Sequence, residues 1–115
     1  MPLLKIQSNT TARKTNDEIL KEATKQMAKW LGKPENFVMV RLETGIALAM
    51  AGETTPAVLV ELKSIMLPDD RTRELAEKIT TFLSELFDVP AERVFITFDS
   101  YDRHMWGWNG ATFDR

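Results

Sequence analysis

The chain has 115 residues, 43% hydrophobic and 28% charged, with 15 basic against 17 acidic side chains and a formal net charge of −2. That size suits one domain spanning 1–115, and the charge balance lacks the clustered basic excess of a phosphate-backbone binder. With no cysteine and a single histidine, His104, the chain has no thiolate chemistry, no disulfide and no multi-histidine metal centre.

Taken in chain order, residues 3–8 are short, apolar and partly β-branched, as a strand should be. Ile19, Leu20, Ala23, Met27, Trp30 and Leu31 then recur at helical spacing, with Lys21, Glu22, Lys25 and Lys29 between them. Thr15 or Asn16 can cap this helix, Asp17 and Glu18 complement its dipole, and Gly32 followed by Pro34 ends it. A second strand follows at 38–42 and a third at Val58–Ile65. A second helix opens around Asp69 to Thr72 and places Leu75, Ile79, Phe82, Leu83 and Leu86 on one face, with Asp88 and Pro90 closing it. The fourth strand is read at 94–98. No apolar run reaches the length of a membrane span and no signal-peptide core opens the chain, so a cytoplasmic protein with no membrane and no nucleic-acid partner is expected.

Sliding the sequence by 56 residues superposes its halves, about 1–56 on 57–112, without a gap. Leu3 to Ile6 falls on Leu59 to Leu62, Met27 on Leu83, Pro34 on Pro90, and Phe37 to Val40 on Arg93 to Ile96. Each half reads strand, helix, strand, and such a crossover makes a right-handed parallel pair. The expected fold is α/β (α+β): two pseudo-symmetric units in a four-stranded sheet with both helices on one face. The strands read as apolar on both faces, as in Ala57 to Val60 and Val94 to Ile96. With Ile46 to Met50 and the tail residues Met105, Trp106, Trp108 and Phe113, this predicts a homo-oligomer.

Two features could carry chemistry. Pro2 follows Met1, and loss of an initiator methionine would leave a secondary amine heading a strand. Burial or a nearby cation lowers the pKa of such an amine and makes it a general base or nucleophile. Met-Pro is also an ordinary processing signal. Gly32-Lys33-Pro34 reads as a helix stop or as an anion site, to which Lys63-Ser64-Ile65 could add backbone donors. Asp69-Asp70 reads as a helix start rather than a metal pair. Asn9-Thr10-Thr11 matches a glycosylation acceptor that has meaning only on secretion.

Pro2 after Met1, the Gly32-Lys33-Pro34 stop, Ser64-Ile65 and the tail Gly107-Trp108-Asn109 with Thr112-Phe113 together resemble the macrophage migration inhibitory factor family of tautomerases, over essentially the whole chain. The resemblance implies a homotrimer with active sites at subunit boundaries and a cofactor-free, metal-free keto–enol tautomerase. Its substrates would be small aromatic α-keto acids or their enols, of the phenylpyruvate or dopachrome type. By the same resemblance Pro2 is the catalytic base, and Lys33 holds the substrate carboxylate with the backbone of Ile65 and its neighbour Ser64. Trp108 and Phe113 line the substrate ring, and Phe95 and Thr97 reach in from an adjacent subunit. Phe95 stands where the family has tyrosine, Thr97 where it has asparagine, Phe37 at another pocket tyrosine and Lys63 at a histidine. Ala57 and Val60 replace the animal protein's Cys-x-x-Cys. A cytokine-like or host-interaction protein, released by a signal-less route to a host receptor and keeping a vestigial pocket, is the alternative. Dehalogenation or decarboxylation of small acids on the same scaffold is a third reading.

Overall fold

The computed structural model describes residues 1–114; Arg115, the end of the expected domain, lies outside them. Strand β1 (Pro2–Ser8) leads to helix α1 (Asn16–Leu31) and strand β2 (Met39–Glu43). After a long loop, β3 (Val58–Ile65), α2 (Thr72–Phe87) and β4 (Val94–Tyr101) repeat the pattern, and a short hairpin of β5 (Gly107–Trp108) and β6 (Ala111–Thr112) ends the chain. The four main strands lie in the order β2-β1-β3-β4, with parallel outer pairs and an antiparallel centre.

The 56-residue spacing recurs in the backbone geometry. Leu3 faces Met39 as Leu59 faces Phe95. Gly32 and Asp88 both take left-handed conformations at the helix ends. Lys33 N–H donates to Ala28 O at 3.0 Å, as Val89 N–H donates to Ser84 O at 3.1 Å. Phe37 N–H to Pro34 O, at 3.1 Å, matches Arg93 N–H to Pro90 O at 2.9 Å. The two halves are therefore pseudo-symmetric units, as expected from pattern alone.

Thr15 closes the start of α1 as a capping box: its hydroxyl accepts from Glu18 N–H at 3.3 Å, and the Glu18 carboxylate accepts from Thr15 N–H at 3.3 Å. The second helix is entered instead through a single 3-10 turn at Asp69–Arg71, so Asp69 and Asp70 precede α2 rather than begin it. Both helices cover one face of the sheet. Leu4, Ile6, Val60 and Leu62 from the central strands meet Ile19, Ala23, Met27, Leu75, Ile79 and Leu83, all at most 1% exposed. Burial on that scale supplies the main driving force for the fold.

The opposite face corrects one expectation: it is not apolar throughout. Strand alternation turns Leu3, Lys5 and Gln7, Leu59, Glu61 and Lys63, and Phe95, Thr97 and Asp99 away from the helices. Its centre is charged: Lys5 pairs with Glu61 at 3.4 Å, and Glu43 accepts from Gln7 at 3.3 Å and pairs with Arg41 at 3.1 Å. Large apolar side chains stand out only on the edge strands, Met39 at 67% and Phe95 at 60% exposure. Runs such as Val58 to Val60 are apolar in composition, but half of each run serves the helices.

Candidate functional site

Pro2 begins β1 directly opposite Ser64 of β3, and both are buried. The pairing of β1 with β3 ends there, so Ile65 lies one position past its last partner. Beyond Ile65 the chain is tied to β4: Met66 N–H donates to Tyr101 O at 2.9 Å and Leu67 N–H to the Ser100 hydroxyl at 3.0 Å. Lys33 follows the left-handed Gly32 at the end of α1, and its ammonium charge is felt at the chain start. The α-amine of Met1 is lowered from its ordinary value, first by burial and second by Lys33.

The tail folds back on its own chain. Asn109 and Gly110 both adopt positive φ (52° and 80°) between paired Trp108 and Ala111, the backbone of a two-residue hairpin. Phe113 N–H donates to Arg103 O at 3.1 Å and Trp106 O at 3.2 Å. The Trp108 ring meets the Phe37 edge at a centroid distance of 5.3 Å and stacks on Phe113 at 6.2 Å. Trp106 packs edge-on against Tyr101 at 5.5 Å. Trp108 and Phe113, expected as aromatic walls, therefore lie together, and Phe37, at a position the resemblance assigned to the pocket, packs with them. The Asn109-Gly110 dipeptide was the signal for this hairpin, since that pair favours the left-handed turn that two-residue loops need.

Phe95 and Thr97 lie elsewhere on the chain. Phe95 faces Leu59, which faces Gln7, five positions along β1 from Pro2 and two strands across. At about 3.3 Å per residue and 4.8 Å per strand, Phe95 is about 19 Å and Thr97 about 14 Å from Pro2. Their side chains also leave the sheet on the face opposite Pro2. Phe95 borders an apolar cavity of about 530 Å³ with Leu48, Met50, Ala57 and Leu59. The loop over it is pinned by two residues. Asn9 donates to Leu48, Thr54 and Thr55 carbonyls at 3.0–3.1 Å and accepts from Ala57 N–H at 2.9 Å. The Arg93 guanidinium reaches Met50, Glu53, Thr55 and Pro56 carbonyls at 2.8–3.3 Å. The Asn9 amide flagged as a glycosylation acceptor is thus used inside the fold.

Pro2 thus heads an inner strand of a duplicated strand–helix–strand sheet, with Lys33 just past the end of the first helix. The family model described as macrophage migration inhibitory factor matches residues 1–114. A homologue of that factor from Brugia malayi is 31% identical over 114 residues, covering 98% of this chain and 99% of its own length. Among solved structures, the Prochlorococcus marinus homologue superposes with a TM-score of 0.89 at 37% identity, covering 96% of this chain and 98% of that one. The Trichinella spiralis protein superposes at 0.88 and 26% identity, covering 96% and 99%. The chain belongs to the macrophage migration inhibitory factor family. Among its described residues, no helix is long and apolar enough to cross a membrane.

Proposed function

We propose that this chain is a cofactor-free keto–enol tautomerase in which Pro2, freed by removal of Met1, relays a proton between the enol hydroxyl and the adjacent carbon of an aromatic α-keto acid. One observation carries this reading: Pro2 is buried at the head of β1, and the Met1 amine one residue before it is lowered from its ordinary value first by burial and then by Lys33, surroundings that favour a neutral, basic amine at Pro2 once Met1 is removed. Lys33 and the backbone at Ile65 then hold the substrate carboxylate, while Trp108 and Phe113 flank its ring. Ser64, paired with Pro2 at the end of β3, stands next to Ile65 on the carboxylate side of this site. No cofactor or metal enters this reaction. An enol-to-keto assay on phenylpyruvate, with intact mass showing loss of Met1, tests the reading.

Phe95 and Thr97 join this site only if a second copy supplies them, because in one chain they point the other way. The unpartnered edges of β2 and β4 and the exposed Met39 and Phe95 on them suit extension by neighbouring chains, closed as a trimer. Light scattering at micromolar concentration is expected to find about 40 kDa, three chains of 13.2 kDa. A stable, folded monomer that turns over substrate would remove Phe95 and Thr97 from the site.

Lys33→Ala is expected to act on both binding and pH dependence. Activity should rise with pH as the amine loses its proton, and removing the Lys33 charge relieves part of the depression of that amine, so the rise moves to higher pH. The KM for a carboxylate substrate should increase about tenfold, the worth of one charged hydrogen bond. An unchanged pH profile and KM would take the carboxylate role away from Lys33.

A further inference from the structure

The end of α1 that carries Lys33 is held by a residue outside the site. Arg71, in the turn leading into α2, donates from Nη2 to the carbonyl of Trp30 at 2.6 Å, three residues before Lys33. Helix ends leave such carbonyls without an intrahelical donor, and a guanidinium supplies a strong, charge-assisted one. The same Nη2 lies 3.2 Å from the Glu74 carboxylate, itself paired with Lys78 at 2.9 Å, which fixes the direction of the fork.

Comparison with the other half of the chain shows what is special about this contact. The counterpart of Trp30, 56 residues on, is Leu86, whose carbonyl accepts from the backbone N–H of Arg13 at 3.3 Å. There, main chain bonds main chain, and Val89, the counterpart of Lys33, is further fixed because the Ser84 hydroxyl donates to its carbonyl. Position 28, the counterpart of Ser84, is alanine and has no hydroxyl to give. The half that bears Lys33 therefore receives from the Arg71 side chain what the other half receives from its backbone and a serine.

We propose that Arg71 is a positioning residue for Lys33, fixing the end of α1 so that the ammonium meets the substrate carboxylate. The proposal rests on the tautomerase reading for the role of Lys33, and it adds a determinant of carboxylate affinity that lies across the molecule in the second repeat. Arg71 does not touch substrate; it acts through the backbone at Trp30.

Binding separates this role from turnover. The probes are 3-phenylpropanoate, which has the carboxylate but no keto group to enolise, and 3-phenylpropanamide, the same skeleton without charge, titrated by calorimetry into the assembled protein. Arg71→Met is expected to weaken 3-phenylpropanoate about tenfold and to leave the amide within about twofold. In a Lys33→Ala background the same change should add less than about twofold, because residues acting through one contact are not additive. Arg71→Lys, which keeps a charged donor, should restore most of the affinity. Equal losses for both probes, or an undiminished loss without Lys33, would make Arg71 a general support of the fold and overturn the proposal. If Arg71→Met does not fold, Glu74→Gln carries the test: it removes the carboxylate that orients the fork and should give a smaller loss confined to the charged probe, an equal loss for both probes again overturning the proposal. Wild-type binding of 3-phenylpropanoate without enol turnover would sink the tautomerase reading alone, whereas no binding of the charged probe would sink the carboxylate role of Lys33 and this proposal with it.

Discussion

Replacing Pro2 with glycine is expected to lower enol-to-keto turnover about 100-fold, the lower end of what a positioned general base contributes. The lower end is expected because glycine, once Met1 is removed, still offers an amine at the head of β1. What it loses is the fixed φ of proline, the greater basicity of a secondary amine and the buried ring facing Ser64. Retention of Met1 should be more severe. The Pro2 nitrogen is then an amide without a basic lone pair, and the free amine moves one residue out, to a position that is only partly buried. Protein shown by intact mass to keep Met1 should fall to the uncatalysed background, while the processed form turns over with the pH dependence of an amine titrating below its usual range. Equal rates for the two forms would exclude Pro2 as the base.

Phe95→Tyr should raise kcat about 5- to 30-fold, equivalent to about 1–2 kcal/mol of transition-state stabilisation. On the proposed reading the ring of Phe95 is an apolar wall that donates no hydrogen bond, so charge developing on the substrate oxygen goes without the hydroxyl that the family resemblance implies at this place. A restored donor matters mainly in the transition state, and KM should move less than kcat. The geometry adds a condition to the test. Phe95 lies about 19 Å from Pro2 of its own chain and on the other face of the sheet. The gain must therefore come from a neighbouring copy and should vanish on dilution to dissociated chains. Mixed assemblies of wild-type chains with Pro2→Gly/Phe95→Tyr chains should show it, because there a native Pro2 meets a tyrosine that only a neighbouring chain supplies. If Phe95→Tyr changes nothing in the assembled protein, proton transfer at Pro2 alone sets the rate. Combining it with Thr97→Asn then shows whether Thr97 had already replaced the donor.

Much of the fold was legible because its signals are local or periodic. The helical spacing from Ile19 to Leu31, the Thr15 cap and the Gly32 stop are decided by residues within a few positions of one another. The 56-residue repeat did the rest, since two copies of one unit must offer the sheet similar faces. Composition misled where it could not report direction. Ala57 to Val60 and Val94 to Ile96 look apolar throughout, but alternation gives Val58, Val60 and Ile96 to the helices, while the open face is centred on Lys5 and Glu61. The tail was legible as an apolar surface but not in its contacts: Asn109-Gly110 turns Trp108 against Phe37 and Phe113, while Trp108 stays 45% and Met105 64% exposed.

The elements, their order and the pseudo-symmetric plan were readable residue by residue, and short motifs in combination pointed to the family, because these depend on residues near one another or on a repeat that can be counted. The tertiary structure alone decided which candidate residues meet. It brings Pro2, Ser64, Ile65 and Lys33 to one end of the sheet, closes the aromatic cluster through Phe37, and sends Phe95 and Thr97 to the opposite face. It also decided that the end of α1 hangs on Arg71 from the second repeat. Strand register sets this: neighbours across the sheet come from pairing between residues 36 apart in the two parallel pairs and 50 to 62 apart in the central antiparallel pair, and a shift of one residue exchanges the faces of every side chain. No local signal carries that information; the packed core that both halves build together fixes it.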